Sequence, residues 1–233
     1  MGDLLVLWDV DYTLLSAVGL GNRLYGEVFK DMFGRDLAAV APKAGRTDRA
    51  ILLDTLTLAG VAEPRAHVDD FLAALARRVA ALDGSVRDEV RALPGAAAAI
   101  AALAAAGARQ SVLTGNIRPL ATVKLAAAGL GEQLDLNVGA YGDTHEVRAE
   151  LVPVARRNAE LAYGGDFGGR ATVLVGDTPF DVGAALATGA RAVGVATGGF
   201  SVAELAASGA HAVLPDLADT GRVLAAILGP HAQ

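Results

Sequence analysis

Apolar residues run along this chain in two different rhythms. Five short runs, at 4–8, 111–113, 171–175, 192–195 and 212–214, are continuous rather than alternating, and they stop abruptly at polar residues or glycine. Unbroken runs of that length predict strands buried on both faces of a sheet. Between them, residues 94–106, 119–128, 151–161, 181–188 and 202–208 read as helices. Pro94 and Pro119 suit a first helical turn, and Gly107, Gly129, Gly189 and Gly209 suit helix ends. Strands and helices alternating at this spacing predict a parallel sheet covered on both faces, a three-layer α/β core.

One block breaks the alternation. Residues 16 to 90 contain helical patterns and no convincing strand: Leu20, Leu24, Val28 and Met32 fall on one face, and Val68, Leu72, Leu75 and Val79 on another. The expected organisation is a core of residues 1–15 and 92–233 with a helical cap, 16–91, inserted after the first strand. A block leaving the sheet there lies over its carboxyl edge as a lid, hinged near 14–17 and 92–95, with Leu93-Pro94-Gly95 as the return.

Composition narrows the chemistry. With 233 residues, 53% of them apolar, the chain can bury a sizeable core. Its net charge of −6 and lack of any long basic run argue against a nucleic-acid partner. There is no cysteine, which excludes disulfides, thiolate catalysis and thiolate metal sites. The start, Met1-Gly2-Asp3, lacks the pattern of a signal peptide, and the alanine-rich stretch 95–107 is too short to span a bilayer. A cytoplasmic protein with no membrane partner is expected.

Candidate chemistry gathers where the apolar runs end. Trp8-Asp9-Val10-Asp11-Tyr12-Thr13 places two carboxylates directly after a buried strand, a costly arrangement unless a cation binds them, although D-x-D also serves as a turn or helix cap. Thr114-Gly115-Asn116 offers a hydroxyl and exposed backbone N–H groups to a phosphate, or simply caps a helix. Gly176-Asp177-Thr178-Pro179-Phe180-Asp181 presents a possible metal ligand and a supporting carboxylate four residues on. Asp9, Asp11 and Asp177 with a phosphate dianion accumulate about five negative charges, of which a divalent ion offsets two. A basic residue is therefore expected nearby. Arg148, between a strand and loop at 136–145 and a helix, is preferred over Lys124, which falls within a helix and reads as solvated. All these signals lie after different strands, where open α/β sheets bind ligands.

The set D-x-D-x-T, hydrophobic-T-G-N, a basic residue and G-D-x-x-x-D resembles the haloacid dehalogenase-like hydrolases, in the branch with a helical cap after the first strand. The resemblance covers nearly the whole chain. It implies a Rossmann-like core and a Mg²⁺-dependent phosphatase acting on a small phosphorylated metabolite through an aspartyl-phosphate. By this resemblance Asp9 is the nucleophile and a metal ligand. Asp11 is the general acid and base, and its backbone carbonyl touches the metal. Asp177 is a direct metal ligand and Asp181 supports it. Thr114, Gly115, Asn116 and Arg148 bind the phosphoryl group. Tyr12 stands where the family pattern usually has glycine, and Arg148 precedes Ala149 where a Lys-Pro pair is common.

Dehalogenation on the same fold needs neither Asp11 nor Asp177. Phosphonate cleavage would need a cap lysine, and Lys30 and Lys43 match no recognisable context. A phosphoglucomutase, or a regulatory protein on a retired enzyme fold, is a further alternative. A retired enzyme is free to lose Asp9 or Asp11, and this chain keeps both. Arg23, Arg46 and Arg49 are candidate substrate contacts from the cap, Trp8 and Phe180 read as packing, and the four histidines read as surface or loop residues.

Overall fold

The computed structural model describes residues 4–82 and 86–229. Its centre is β1 (Leu5–Trp8), which pairs in parallel with β4 (Arg109–Thr114) on one side and β6 (Thr172–Gly176) on the other. Each residue of β1 is fully buried. Leu5 and Leu7 pack into one apolar cluster while Val6 and Trp8 pack into another, so the strand needs no polar face and shows no alternation. β5 (Ala140–Tyr141), β7 (Arg191–Val195) and β8 (Ala212–Leu214) complete a six-stranded sheet in the order β5-β4-β1-β6-β7-β8.

Helices α5 (Ala96–Ala105), α6 (Arg118–Ala127) and α10 (Thr220–Leu228) contribute to the Val6–Trp8 cluster. Helices α7 (Leu151–Tyr163), α8 (Pro179–Ala187) and α9 (Val202–Ala207) cover the opposite face. The three-layer Rossmann-like α/β architecture expected from the sequence is therefore present. The chain order reverses at β1, so the loops leaving β4 and β6 diverge above it. That divergence opens a crevice at the carboxyl edge of the sheet.

Between β1 and α5 the chain runs through a helical block. It leaves through β2 (Leu15–Ser16) and returns through β3 (Arg91–Ala92), paired antiparallel, and the Leu93 N–H donates to the Leu14 carbonyl at 2.9 Å. This ribbon is too short to give any sequence pattern. The block contains α1 (Leu20–Phe33), α2 (Asp48–Leu58), α3 (Val68–Ala80) and the short α4 (Val86–Glu89). Leu20, Leu24 and Val28 of α1 are buried with Tyr25 and Phe29, whereas Met32 is half-buried; Val68, Leu72, Leu75 and Val79 of α3 are buried with Phe71. The Tyr25 and Phe71 rings meet at 5.6 Å.

Main-chain hydrogen bonds join this block to the core. The Asp48 N–H donates to the Gly115 carbonyl at 2.7 Å, and the Arg49 N–H to the Gly142 carbonyl at 2.9 Å. A Cβ on Gly115 would lie 1.9 Å from the Arg46 carbonyl oxygen. The glycine of Thr114-Gly115-Asn116 thus permits close approach of the helical block, a role its sequence context does not advertise. Among the described residues, no helix is long and apolar enough to cross a membrane.

Candidate active site

Asp9 follows β1 directly, and its N–H still donates to the Val175 carbonyl of β6 at 2.8 Å, which anchors the side chain at the crevice. The next residues fold into a tight turn. The Leu14 and Leu15 N–H groups donate to the Val10 carbonyl at 3.0 and 3.1 Å, and the Tyr12 N–H to the Leu15 carbonyl at 2.7 Å. Tyr12, at the position of the family's usual glycine, holds a left-handed backbone with φ 59°. That conformation costs a non-glycine residue about 1–2 kcal/mol, and here the surrounding turn enforces it. The buried Thr13 hydroxyl donates toward Asp177 at 3.5 Å.

Asp177 and Asp181 come from the end of β6 and the first turn of α8. Asp181 accepts from the Thr178 N–H at 3.1 Å and from its hydroxyl at 2.6 Å, closing a capping box at the start of α8. A Cβ on Gly176 would sit 2.2 Å from the Asp181 carboxyl carbon, so only glycine admits this arrangement. Carboxylate oxygens of Asp9, Asp177 and Asp181 lie within 4.8 Å of one another. Arg148, just before α7, is buried between them. Its Nη2 reaches Asp9 at 2.7 Å and Asp181 at 2.6 Å, and donates to the Leu113 carbonyl at 3.2 Å. Its buried Nε has no hydrogen-bond partner among the described residues.

One arginine does not neutralise three clustered carboxylates. Burial, opposed by Arg148 and reinforced by Asp181, pushes Asp9 up to about 7. Burial, with Asp9 and Asp181 beside it, pushes Asp177 up to about 8. The ordinary value is 3.8 for both. Between those limits the folded protein binds more protons than the unfolded chain, so this pair's contribution falls as pH rises. It is fully present below pH 3.8 and lost as pH passes about 7 to 8. Scanning calorimetry with a chelator should therefore show a lower contribution from this site at pH 8.5 than at 5.5, seen as a smaller pH-dependent loss in an Asp177→Asn variant than in wild type.

The second charge cluster centres on Asp11. Lys124 Nζ lies 2.8 Å from both Asp11 carboxylate oxygens and donates to Asn116 Oδ1 at 2.9 Å. Lys124 is buried, at 4% exposure, which corrects the expectation of a solvated helix lysine. The sequence could not reveal the compensating partner, because Asp11 comes from a different strand end. Asn116 lines the same cavity, and its Nδ2 donates to Asp11 at 2.6 Å and to the Thr114 hydroxyl oxygen at 2.9 Å. Those bonds use the Thr114 oxygen as an acceptor and leave its own proton available for donation. The Asp11 carboxylate is thus engaged away from the acidic trio of Asp9, Asp177 and Asp181. The two basic residues that the sequence set in competition divide the work, Arg148 on Asp9 and Lys124 on Asp11.

Asp9, Asp11, Thr114, Lys124, Arg148 and Asp177 line one cavity of about 310 Å³. Residues of the helical block line it as well, among them Asn22, Tyr25, Lys43 and Asp48. Arg46 also lines it, but its guanidinium is bound to Asp54 at 2.7 Å. Arg23 and Arg49 do not line it and are bound to Glu27 and Glu89, and to Asp69 and the Asp143 carbonyl. Lys30 pairs with Asp36 at the surface. Phe180 is exposed rather than packed, whereas Trp8 is buried and donates to Gln110. His67 packs edge-on against Phe33, His145 contacts Thr144, and His211 accepts from the Ala192 N–H; His231 lies outside the described residues.

A family model for the haloacid dehalogenase-like hydrolases matches residues 6–186. The chain belongs to that family. It is 32% identical over 222 residues to the phosphoglycolate phosphatase of Rhodospirillum rubrum, covering 93% of this chain and 88% of the relative. A crystal structure described as a predicted phosphatase from Clostridium acetobutylicum superposes with a TM-score of 0.68 at 18% identity, covering 96% of this chain and 99% of that one. A hydrolase from Pseudomonas syringae gives 0.62 at 21% identity, with 95% and 97% covered. At those identities the two structures speak to the fold alone.

Proposed function

We propose that this enzyme hydrolyses a small phosphoric monoester in two steps through an aspartyl-phosphate on Asp9, with Mg²⁺ held by Asp9 and Asp177. It is a phosphatase of its family, and the R. rubrum relative carries that activity in its name. The observation that carries the mechanism is the pairing of two separate ionic units in one cavity: Arg148 with Asp9 and Asp181, and Lys124 with Asp11. The two units set Asp9 apart from Asp11, so that nucleophilic attack and proton transfer fall to different groups of one cavity.

The acidic trio fits magnesium, offering only hard oxygen donors within 4.8 Å and carrying excess negative charge. Asp9 and Asp177 are the proposed carboxylate ligands, because both Asp181 oxygens are already engaged. The Asp11 backbone carbonyl is the proposed third protein ligand. Bound magnesium would supply screening of the repulsion between Asp9 and the incoming phosphoryl group.

Asp9 attacks phosphorus and the ester P–O bond breaks. Asp11 gives its proton to the departing alkoxide, then takes one from water as that water attacks the phosphorus of the intermediate and frees Asp9. Arg148 and Thr114 hold the non-bridging oxygens as charge builds on them. Asn116 and Gly115 act one layer out: Asn116 orients Asp11 and Thr114, and Gly115 seats the helical block. Residues 16–91 form the cap that closes the cavity and excludes water, pivoting on the β2–β3 ribbon.

Purified protein should release nitrophenol from p-nitrophenyl phosphate with Mg²⁺ and lose that activity in excess chelator. Mg²⁺ should also raise the melting temperature more at pH 8.5 than at 5.5, because its ligands must be deprotonated to bind. Equal rates with and without chelator would remove the metal from the mechanism. No turnover across a broad panel of phosphorylated metabolites would remove the phosphatase reading.

A further inference from the structure

We infer that Lys43 forms a second anion site and that the natural substrate carries a carboxylate on its leaving group. This rests on the reading that the phosphoryl group sits at the Asp9 end of the cavity. Three basic side chains of distinct standing line that cavity beside Arg46. Arg148 is bound to Asp9 and Asp181, and Lys124 to Asp11 and Asn116. Lys43 has no ion pair among the described residues. Its ammonium lies over the Tyr25 ring, 4.9 Å from the centroid.

The nearest acid on its own block does not serve it. The Asp48 carboxylate is buried and already accepts from the Tyr25 hydroxyl at 2.9 Å and from the Ile117 N–H at 2.8 Å. Lys43 is half-buried, and burial holds its ammonium below the ordinary lysine value, with Lys124 adding to the effect while Asp48 and Asp11 oppose it. A cation withdrawn from water without a partner is costly, and an arriving anion offsets that cost. Room for the ammonium comes from Gly21 of α1, where a Cβ would stand 3.1 Å from Nζ.

Charge and position select the ligand. Lys43 lines the cavity from the helical block, beside Tyr25, rather than from the sheet edge that carries Asp9 and Arg148, which suits the leaving group rather than the phosphoryl group. One ammonium matches a monoanion, and a second phosphate dianion would bring excess negative charge into a cavity that Asp11 and Asp48 also line. The other arginines of the block are committed elsewhere: Arg23 to Glu27 and Glu89, Arg46 to Asp54, and Arg49 to Asp69. The cavity of about 310 Å³ has room for a phosphoryl group together with a carboxylate-bearing leaving group.

The test uses matched ester pairs: phosphoglycolate against 2-hydroxyethyl phosphate, and 3-phosphoglycerate against glycerol 3-phosphate. The reading is the ratio of kcat/KM for the carboxylate over the hydroxyl partner, which is insensitive to the fraction of active enzyme. A charge-assisted hydrogen bond predicts a wild-type ratio of about 10 to 100 in at least one pair. In Lys43→Met that ratio should collapse to near one, and Lys43→Arg should recover much of it. A wild-type ratio near one in both pairs overturns the proposal, as does a preference that survives in Lys43→Met. Faster turnover of ethylene bisphosphate than of either carboxylate overturns the choice of a monoanion. Each of these outcomes leaves Mg²⁺-dependent release of nitrophenol intact, so failure here is distinct from failure of the phosphatase reading.

Discussion

Asp9→Asn should lower kcat by about four orders of magnitude or more while leaving the fold in place. Removing a nucleophile that works within a coupled set forfeits nearly all the covalent contribution at once. The asparagine oxygen still accepts from Arg148, so the 2.7 Å contact that positions residue 9 has a neutral replacement. The substitution also removes one of three crowded carboxylates. Chelator-treated Asp9→Asn should therefore melt no lower than wild type at pH 8, and it should lose most of the Mg²⁺-induced shift. Steady-state kinetics together with melting curves, with and without Mg²⁺, check both halves. Wild-type-like turnover would refute the assignment of Asp9.

Arg148→Ala should damage stability and catalysis together. Its guanidinium, 7% exposed, is the direct ion-pair partner of Asp9 and Asp181. Deleting one partner of a buried ionic group leaves uncompensated charge and costs about 3–5 kcal/mol. Loss of a positioned cation from a phosphoryl site should lower kcat/KM by about 100- to 1000-fold. Lys124→Ala should behave differently. Its partner Asp11 retains 29% side-chain exposure, so water can replace part of the lost interaction. The expected result is a smaller stability loss and a distorted pH–rate profile, because Lys124 acts through the acid–base group. Urea unfolding and kcat/KM profiles of both variants decide it. A larger stability loss in Lys124→Ala would reverse the division of labour drawn here.

What could be read in the sequence follows from where the physics is local. The run at 4–8 announces a central strand because both of its faces are buried, and Leu5 and Val6 indeed enter opposite clusters. Asp177 and Asp181 are legible because a glycine, a cap and a carboxylate must follow a strand end in that order for the capping box and the site to coexist. Lys124 was not legible. It occupies a regular helical position, and its burial is tolerated only because Asp11 and Asn116 approach from other elements. The pairing of Arg46 with Asp54 and of Arg49 with Asp69 was equally hidden, because each partner lies 8 or 20 residues further along the chain. Two-residue strands such as β2 and β3 carry no periodicity at all, and the expected strand and loop at 136–145 reduces to Ala140–Tyr141. Lys43 shows no motif, because its meaning lies in the pairing of every other cation around it.

The central claim is a covalent intermediate on Asp9, and acid-quench labelling tests it directly. Asp11→Asn protein should be mixed with ³²P-labelled p-nitrophenyl phosphate and Mg²⁺, quenched in acid within the first turnover, digested and mapped. Nitrophenolate leaves without needing a proton, whereas the second step needs Asp11 as a base, so the intermediate should accumulate. The account predicts a burst of nitrophenol matched by label on the peptide containing Asp9, stable in acid and released by hydroxylamine. A nitrophenol burst with label on another residue, or with none on the Asp9 peptide, would contradict it.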